Sequence, residues 1–229
     1  MMRRLKPILI AAVCGAFVGL VATRVGFHRI GSIPFFAKDH ALLSHGILYY
    51  SCLACWIAFS VYWDIAAKNA SPAKSSETKS SRSLHVFLAN TAVILIGAPI
   101  QGLGRFLPVW SLLMTVGLGI EIVGLGVAIW ARRHLGRNWS GEITIKHEHQ
   151  LIQSGPYRYL RHPIYTGILM MYAGLTVATG EWLGVVGLAV AVLAYWRKTR
   201  MEEATLGTAF GAAYEAYRRD TWAIVPGVF

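Results

Sequence analysis

The residues best suited to chemistry fall into two clusters separated by apolar sequence. The first is the run Glu148-His-Gln-Leu-Ile-Gln-Ser-Gly-Pro-Tyr-Arg-Tyr-Leu-Arg-His-Pro-Ile-Tyr-Thr-Gly167, which is polar, aromatic and cationic between two hydrophobic stretches. The second is Arg197-Lys-Thr-Arg-Met-Glu-Glu203. Cations of this kind grip carboxylates, and a carboxylate such as Glu202 accepts from an ammonium or a ribose hydroxyl. Glu203 and His162 are the nearest candidates for a general base, should the reaction need one. Gly155-Pro156 and His162-Pro163 are breaker signals, so the first cluster folds as a compact loop. Polar, irregular backbone beside a bilayer survives only where protein covers it or where it lines a cavity. The two clusters together therefore predict a pocket at a membrane face.

The elements that must position such a pocket are long apolar runs. Charged residues make up 14% of the 229, where a soluble domain carries about 25%. Mean hydropathy is +0.48. This composition excludes an ordinary soluble enzyme, and the length leaves room for one bundle without a large soluble domain. Spans are expected over about 7–25, 42–66, 84–102, 109–130, 164–179 and 182–196, each near the twenty or so residues a bilayer needs, the last two being short. The first run has a basic lead and competes with a signal peptide, but it is long and lacks a small-residue cleavage site. Residues 67–83, rich in Ser and Lys, read as an exposed linker. Beyond the last span, Leu206, Phe210, Tyr214 and Tyr217 recur at helical spacing and predict an amphipathic C-terminal helix folding back over the pocket. The expected fold is thus all-α: a polytopic transmembrane bundle of about six spans, with a cytoplasmic pocket-forming loop and that terminal helix. Residues 1–131 would form the N-terminal spans, and 132–229 the pocket region with its hairpin over 164–196.

Charge placement orients the bundle. With the N-terminus inside, 18 of the 22 Lys and Arg residues fall in inner segments and 4 in outer ones, as the positive-inside rule requires. Both termini and the pocket then face the cytoplasm of a multi-pass protein in the cytoplasmic membrane. The net charge of +11 is spent on this asymmetry, so no nucleic-acid partner is expected.

Other polar residues carry weaker signals. Cys52-x-x-Cys55 has metal-ligand spacing, but no second pair completes a zinc site, and small residues packing helices is the preferred reading. His147 and His149 flank Glu148 in an extended segment, and no metal is expected there. Glu121, in the middle of the fourth span, leaves two readings open: a functional group, or a neutral carboxyl bonded to a neighbouring helix. Gly117, Gly119, Gly124 and Gly126 predict close helix packing there. Arg132 and Arg133 are expected to anchor that span at the headgroups.

The ordered set His149-x-Leu151, Ser154-Gly155-Pro156-Tyr157, Arg161-His162-Pro163-x-Tyr165-x-Gly167, Glu202-Glu203-x-x-Leu206 and Phe210-Gly211-x-x-Tyr214-x-x-Tyr217 resembles the isoprenylcysteine carboxyl methyltransferase family of integral membrane enzymes. The resemblance covers roughly the last 100 residues. It implies S-adenosyl-L-methionine as methyl donor, bound by Glu142, His149, Gln150, Leu151, Ile152, Gly155, Tyr157, Arg161, His162, Pro163, Ile164, Tyr165 and Glu202. It also implies a lipophilic or lipidated acceptor entering from the bilayer among membrane lipids, with Lys198, Arg197 and Glu203 nearest the reacting atoms. Two positions depart from the family pattern. Glu142 stands where eukaryotic members have Gln, and Lys198 where they have a substrate-binding Arg, which puts the substrate in question more than the cofactor.

A carboxylate acceptor is already ionised at neutral pH, since an α-carboxyl has a pKa of about 3.5, and needs no general base. Alignment and exclusion of water would then carry catalysis. An amine acceptor, as in phospholipid N-methylation, would need a base. An NADPH-dependent reductase of the sterol-reductase type shares similar C-terminal motifs, but Glu202-Glu203 and the Phe-Gly-x-x-Tyr-x-x-Tyr run favour the methyltransferase. A catalytically silent scaffold would not need so many polar residues beside the bilayer.

Overall fold

The computed structural model describes residues 40–68, 78–97, 104–136, 139 and 151–227. The expected span over 7–25 and the expected site residues Glu142, His149 and Gln150 lie outside these residues, as does most of the Ser/Lys-rich linker. Six α-helices are present among the described residues: α1 (His40–Ala67), α2 (Lys79–Gly97), α3 (Ser111–Leu135), α4 (Pro163–Thr179), α5 (Trp182–Phe210) and α6 (Ala212–Arg219). No strand forms among them; two isolated bridges, Arg105 with Glu181 and Leu160 with Trp222, are the only extended pairings found there.

Two helices are long and apolar enough to cross a bilayer, Ser44–Ala67 and Ser111–Leu135, and the shorter Pro163–Thr179 is also apolar. The expectation of about six spans is met in part. All-helical architecture is found, while α5 does not qualify because its second half is charged. Sequence reading ended a span at 196 and placed a separate helix after it; instead α5 runs unbroken for 29 residues, about 44 Å. No Gly or Pro interrupts it from 188 to 206, so its polar half continues the apolar one. The break comes at Gly211, whose φ of 52° is a left-handed value that favours glycine. It divides the expected amphipathic helix, leaving Leu206 and Phe210 on α5 and the buried Tyr214 and Tyr217 on α6.

The tightest packing is between α3 and α4. A Cβ on Gly124 would stand 2.5 Å from the Gly167 carbonyl oxygen, and one on Gly117 2.5 Å from that of Gly174. The reciprocal contacts from Gly167 and Gly174 are equally short, so the antiparallel backbones touch through pairs seven residues apart. Only small residues permit this approach. Gly119 and Gly126 face away, with nothing within 4 Å, which corrects half of the four-glycine expectation. Glu121 is fully buried on the same seam, beside Gly174, and its carboxyl faces the Cys52 thiol of α1. Cys52 is buried and Cys55 half-buried, both as free thiols, and no His, Cys, Asp and Glu group among the described residues could hold a metal ion.

α5 lies against α2, where Gly187 admits Ile96 and the Ala92 carbonyl. Near this end the Phe106 and Leu107 amides donate to the Gly180 carbonyl at 2.9 and 3.2 Å, closing the α4–α5 hairpin. Gly180 itself has φ 63°.

Candidate functional site

Local sequence builds the site at the other end of α4. Gly155, at φ 60°, starts a short 3-10 turn through Arg158. A side chain there would run into the His134 imidazole, 2.6 Å from where its Cβ would stand. His134 meets Ser154 at 2.9 Å, so the end of α3 and the loop are fitted together through a glycine. Pro156 and Tyr157 are buried in the turn. Leu151 and Ile152, which precede it, are half-buried.

The chain then extends through 159–162 and pairs with the C-terminal tail. The Arg161 amide donates to the Trp222 carbonyl at 2.8 Å, the His162 amide to that of Ala223 at 2.9 Å, and the Trp222 amide to that of Tyr159 at 3.1 Å. Tyr217 of α6 donates its hydroxyl to the Tyr157 carbonyl at 2.6 Å, and Thr166 donates to that of Ile224 at 2.7 Å. Pro163 then begins α4, where its missing N–H costs nothing. Ile164 is buried beneath it.

Five polar side chains converge where this loop meets α5. Arg161 Nε donates to Glu203 Oε1 at 2.7 Å, and its Nη1 donates to the carbonyls of Arg218, at 3.0 Å, and Thr221. Tyr165 donates to Glu202 Oε1 at 2.5 Å. His162 lies between the two carboxylates, with Nδ1 3.4 Å from Glu202 Oε2 and Nε2 3.6 Å from Glu203 Oε1. Its ring stacks on that of Tyr165, with centroids 5.4 Å apart and planes within 1°.

Charge states follow from these neighbours. Burial alone would pull His162 down, but the two glutamates outweigh it and hold the imidazole above its ordinary value. Burial likewise works to raise Glu203, yet His162 and Arg161 draw it down to about 2. Glu202 is also held below the usual carboxylate range, because His162, Lys198 and the Tyr165 hydroxyl overcome its burial. Burial, with Glu202 nearby, pushes Tyr157 up. An ionised carboxylate thus sits at position 202 with a fifth of its side chain exposed, against 8% for Glu203. Of the pair, Glu202 is the one open to a ligand.

Lys198, one helical turn before Glu202, is buried at 8% exposure, and its charge is felt at Glu202. Arg197 turns to α2, donating to the Ser81 hydroxyl at 2.7 Å. Arg200 is exposed and lies over the Trp196 ring at 5.4 Å. Of the three cations grouped by sequence, the fold directs Lys198 inward.

Several participants escaped sequence reading. Arg132 is no headgroup anchor: it is 3% exposed, donates to the carbonyls of Ala66 at 2.5 Å and Gly136 at 2.8 Å, and lies 4.2 Å over the Trp139 ring. It ties the end of α1 to the end of α3, while Arg133 beside it is exposed. The tail carbonyls at 221–224 have no side-chain signature at all. His85 on α2 is buried next to Tyr195; its signal was a lone imidazole opening an apolar run.

Known proteins place this arrangement in a class. The family described as "Phospholipid methyltransferase" matches residues 112–213. The fold is similar, over all of this chain and 87% of the other, to the solved eukaryotic intramembrane Ras methyltransferase, isoprenylcysteine carboxyl methyltransferase, with a TM-score of 0.51 at 13% identity. With that shared fold go two helices, among the described residues, long and apolar enough to cross a membrane. Protein-S-isoprenylcysteine O-methyltransferase of Schizosaccharomyces pombe is 26% identical over 121 residues, covering 52% of this chain and 51% of the relative. Protein-S-isoprenylcysteine O-methyltransferase A of Arabidopsis thaliana is 33% identical over 115, covering 49% and 58%. A probable counterpart from Oryza sativa subsp. indica is 32% identical over 114, covering 48% and 60%. The chain thus matches a little over half the length of these curated relatives. Over that half it is similar to isoprenylcysteine carboxyl methyltransferases.

Proposed function

We propose that the protein is an S-adenosyl-L-methionine-dependent membrane methyltransferase acting on a lipophilic carboxylate, of the prenylcysteine or isoprenoid kind. The observation that carries this reading is the ionised, partly open Glu202, fixed by Tyr165 and His162 one turn from the buried cation Lys198. The fit to the donor rests on these groups. Glu202 suits an ammonium or ribose hydroxyl, and the buried His162 Nε2 has no hydrogen-bond partner of its own. The turn through Gly155 and Tyr157, the residues His162, Pro163, Ile164 and Tyr165, and the backbone of Leu151 and Ile152 would line the same pocket, with Glu142, His149 and Gln150 as further proposed members. When bound, S-adenosyl-L-methionine supplies a methyl group activated on a sulfonium.

The chain's own residues then have separable tasks. Glu202 orients the donor's polar end. Arg161 keeps Glu203 ionised and ties the tail over the loop, so the lid of the pocket is built from backbone hydrogen bonds. Lys198 holds the acceptor anion, with Arg197 braced on α2 beside it. No proton need move for a carboxylate acceptor, whose ordinary pKa is about 3.5. Burial of Lys198 strengthens its pull on an anion that has shed water.

A second reading, methylation of a phospholipid amine, is favoured by the phospholipid methyltransferase match over 112–213. A buried lysine beside the acceptor disfavours it, because an ammonium headgroup would be repelled. The remaining finer proposals are the six-span topology, both termini in the cytoplasm and the division at residue 131. They rest on the 18-to-4 charge split.

Binding of labelled S-adenosyl-L-methionine and of NADPH to detergent-solubilised protein tests the reading. Donor binding that weakens roughly tenfold to 150-fold in Glu202→Gln is expected, the loss typical of a charge-assisted contact. Binding of NADPH alone would overturn it. Lys198→Ala should impair acceptor turnover and spare donor affinity, and Lys198→Arg should keep activity on a carboxylate. If Lys198→Ala harmed nothing on an amine-headgroup lipid, the second reading would take its place.

A further inference from the structure

We propose that the outer face of α3 binds a phospholipid with an anionic headgroup, its phosphate on Arg133 and one chain lying along Gly126, Ile129 and Trp130. The inference rests on the reading of the bundle as membrane-spanning, and on neither the methyl donor nor the acceptor. It begins from a cavity of about 450 Å³ lined, among the described residues, by Gly126, Ile129, Trp130, Arg133 and His134. Small-molecule sites run from about 300 to 1,000 Å³, so the space is large enough to hold a ligand. The five residues stand at i, i+3, i+4, i+7 and i+8, which places them on a single stripe of α3. Gly126 opens the stripe, because nothing lies within 4 Å of where its Cβ would stand. Trp130 is 53% exposed, and Arg133 and His134 are exposed at the end of the helix. From Gly126 to His134 the stripe measures about 12 Å, most of the roughly 15 Å of hydrocarbon in one leaflet. An apolar groove that ends in an aromatic ring and a cation matches a lipid lying tail inward with its headgroup at the membrane face.

Charge selects the headgroup. The Arg133 side chain has no ion pair or hydrogen bond among the described residues, whereas Arg132 turns inward to the Ala66 and Gly136 carbonyls. The last carbonyls of a helix ordinarily oppose an anion. Here the Gly136 amide caps those of Arg132 and Arg133, and the two guanidinium groups reverse the local sign. The planar fork of Arg133 fits two phosphate oxygens, and the ammonium of a zwitterionic headgroup would be repelled by it. His134, held by Ser154 at 2.9 Å, forms the wall of the cavity on the loop side. The lipophilic acceptor does not suit this groove. Gly124 faces α4, and Gly126, about 200° further round α3, faces away from it. The groove therefore opens away from α4, at whose start His162 and Tyr165 hold Glu202. A tail lying in it would keep its carboxylate away from Lys198.

Native mass spectrometry of the full chain in detergent, titrated with phosphatidylglycerol or with phosphatidylcholine of the same chain length, tests this. Phosphatidylglycerol should bind with a Kd about tenfold below that of phosphatidylcholine, the lower end for a charge-assisted contact. Arg133→Gln should remove that preference. Gly126→Phe, which fills the groove beside the chain, should weaken both lipids by a similar factor. Should Gly126→Phe not fold, Gly126→Leu should weaken both to a smaller extent. Arg219→Gln, a change to an exposed cation on α6, should alter neither. Equal affinity for the two lipids overturns the proposal. So does an equal loss in Arg133→Gln and Arg219→Gln, which would mark a general attraction of the basic face. Unchanged lipid binding in folded Gly126→Phe overturns it as well, since the apolar run over 7–25 or a second copy of the chain would then cover the groove. Protein that stays soluble once detergent is withdrawn overturns the membrane-spanning reading beneath it instead.

Discussion

The α3–α4 seam and the loop–tail junction are both tight, but they are held by opposite means. Along the seam, Gly117, Gly124, Gly167 and Gly174 let two backbones touch, with dispersion as the attractive force and few polar groups to satisfy. At the junction, the contacts are hydrogen bonds: Arg161 to Glu203 and to two carbonyls, Tyr217 to Tyr157, and the 159–162 segment to the tail. In a bilayer the first device suits the apolar interior, where water-driven burial gains nothing. The second suits the membrane face, where irregular backbone must be satisfied by protein. The comparison teaches that the site is rigid because its charges are partnered, whereas the bundle is rigid because its side chains are absent.

The sharpest way to break the contrast is Arg161→Ala. It leaves the Glu203 carboxylate buried without its guanidinium and frees the tail carbonyls. Loss of one partner from a buried pair costs about 3–5 kcal/mol. Thermal unfolding in detergent should shift down markedly, and protease should release the C-terminal tail before the helices are cut. An unshifted melting temperature would show that the junction is not held by this pair.

The seam should respond next. Gly124→Val drives a side chain into the Gly167 carbonyl, and overpacking of this kind costs about 1–3 kcal/mol. Gly119→Ala and Gly126→Ala, with open space around them, should be neutral or slightly stabilising by gaining helix propensity. Equal melting temperatures for Gly124→Val and Gly126→Ala would contradict the assigned helix phase.

Much of this division was legible in the sequence, for physical reasons that also explain the misses. Hydrophobic runs need no partner to be recognised, so α1, α3 and α4 fall within a few residues of the expected 42–66, 109–130 and 164–179. The reach of α5 to Phe210 was not legible, because a helix whose sequence turns charged loses its apolar signal without losing its hydrogen bonds. Four glycines in one span announced close packing, but which two face α4 depends on rotational phase. Arg132 was misplaced because a cation at the end of a span is usually at headgroups; here Ala66, Gly136 and Trp139 give it partners. The motifs named Arg161, His162, Tyr165, Glu202 and Glu203, but not the pairing of Arg161 with Glu203 or of Tyr165 with Glu202. The tail's share, delivered through main-chain carbonyls, has no residue type to betray it.

A smaller effect tests the junction one bond at a time. Tyr217→Phe removes the hydroxyl donated to the Tyr157 carbonyl while preserving the packed ring. A net loss of about 0.5–1.5 kcal/mol is expected, seen as a modest fall in melting temperature with the seam intact. No change would place that carbonyl in contact with another donor.

The smallest expected effect at neutral pH concerns protons, and it separates the two regions without any large change in packing. The junction holds titrating groups that can be replaced without touching the seam, whose glycine contacts themselves carry no charge. Glu203 is drawn down to about 2 in the folded protein, so the stability it contributes is present above its ordinary value near 4.5 and is lost as pH falls towards about 2. His162 is held above its ordinary 6.5, so its contribution is full below that value and fades as pH rises through the folded one. The contribution of this pair should therefore be full between roughly pH 4.5 and 6.5, falling away on the acid side with Glu203 and on the basic side with His162. In His162→Gln the basic limb should flatten, since the group that releases its proton there is gone. The acid limb should remain, because Arg161 still faces Glu203. Gly124→Val should lower the whole curve and leave its shape alone, since no titrating group changes. Melting temperatures taken across pH 3 to 9 for the three proteins read this directly. A difference between wild type and His162→Gln that does not vary above pH 6.5 would mean that His162 is neutral between its two glutamates.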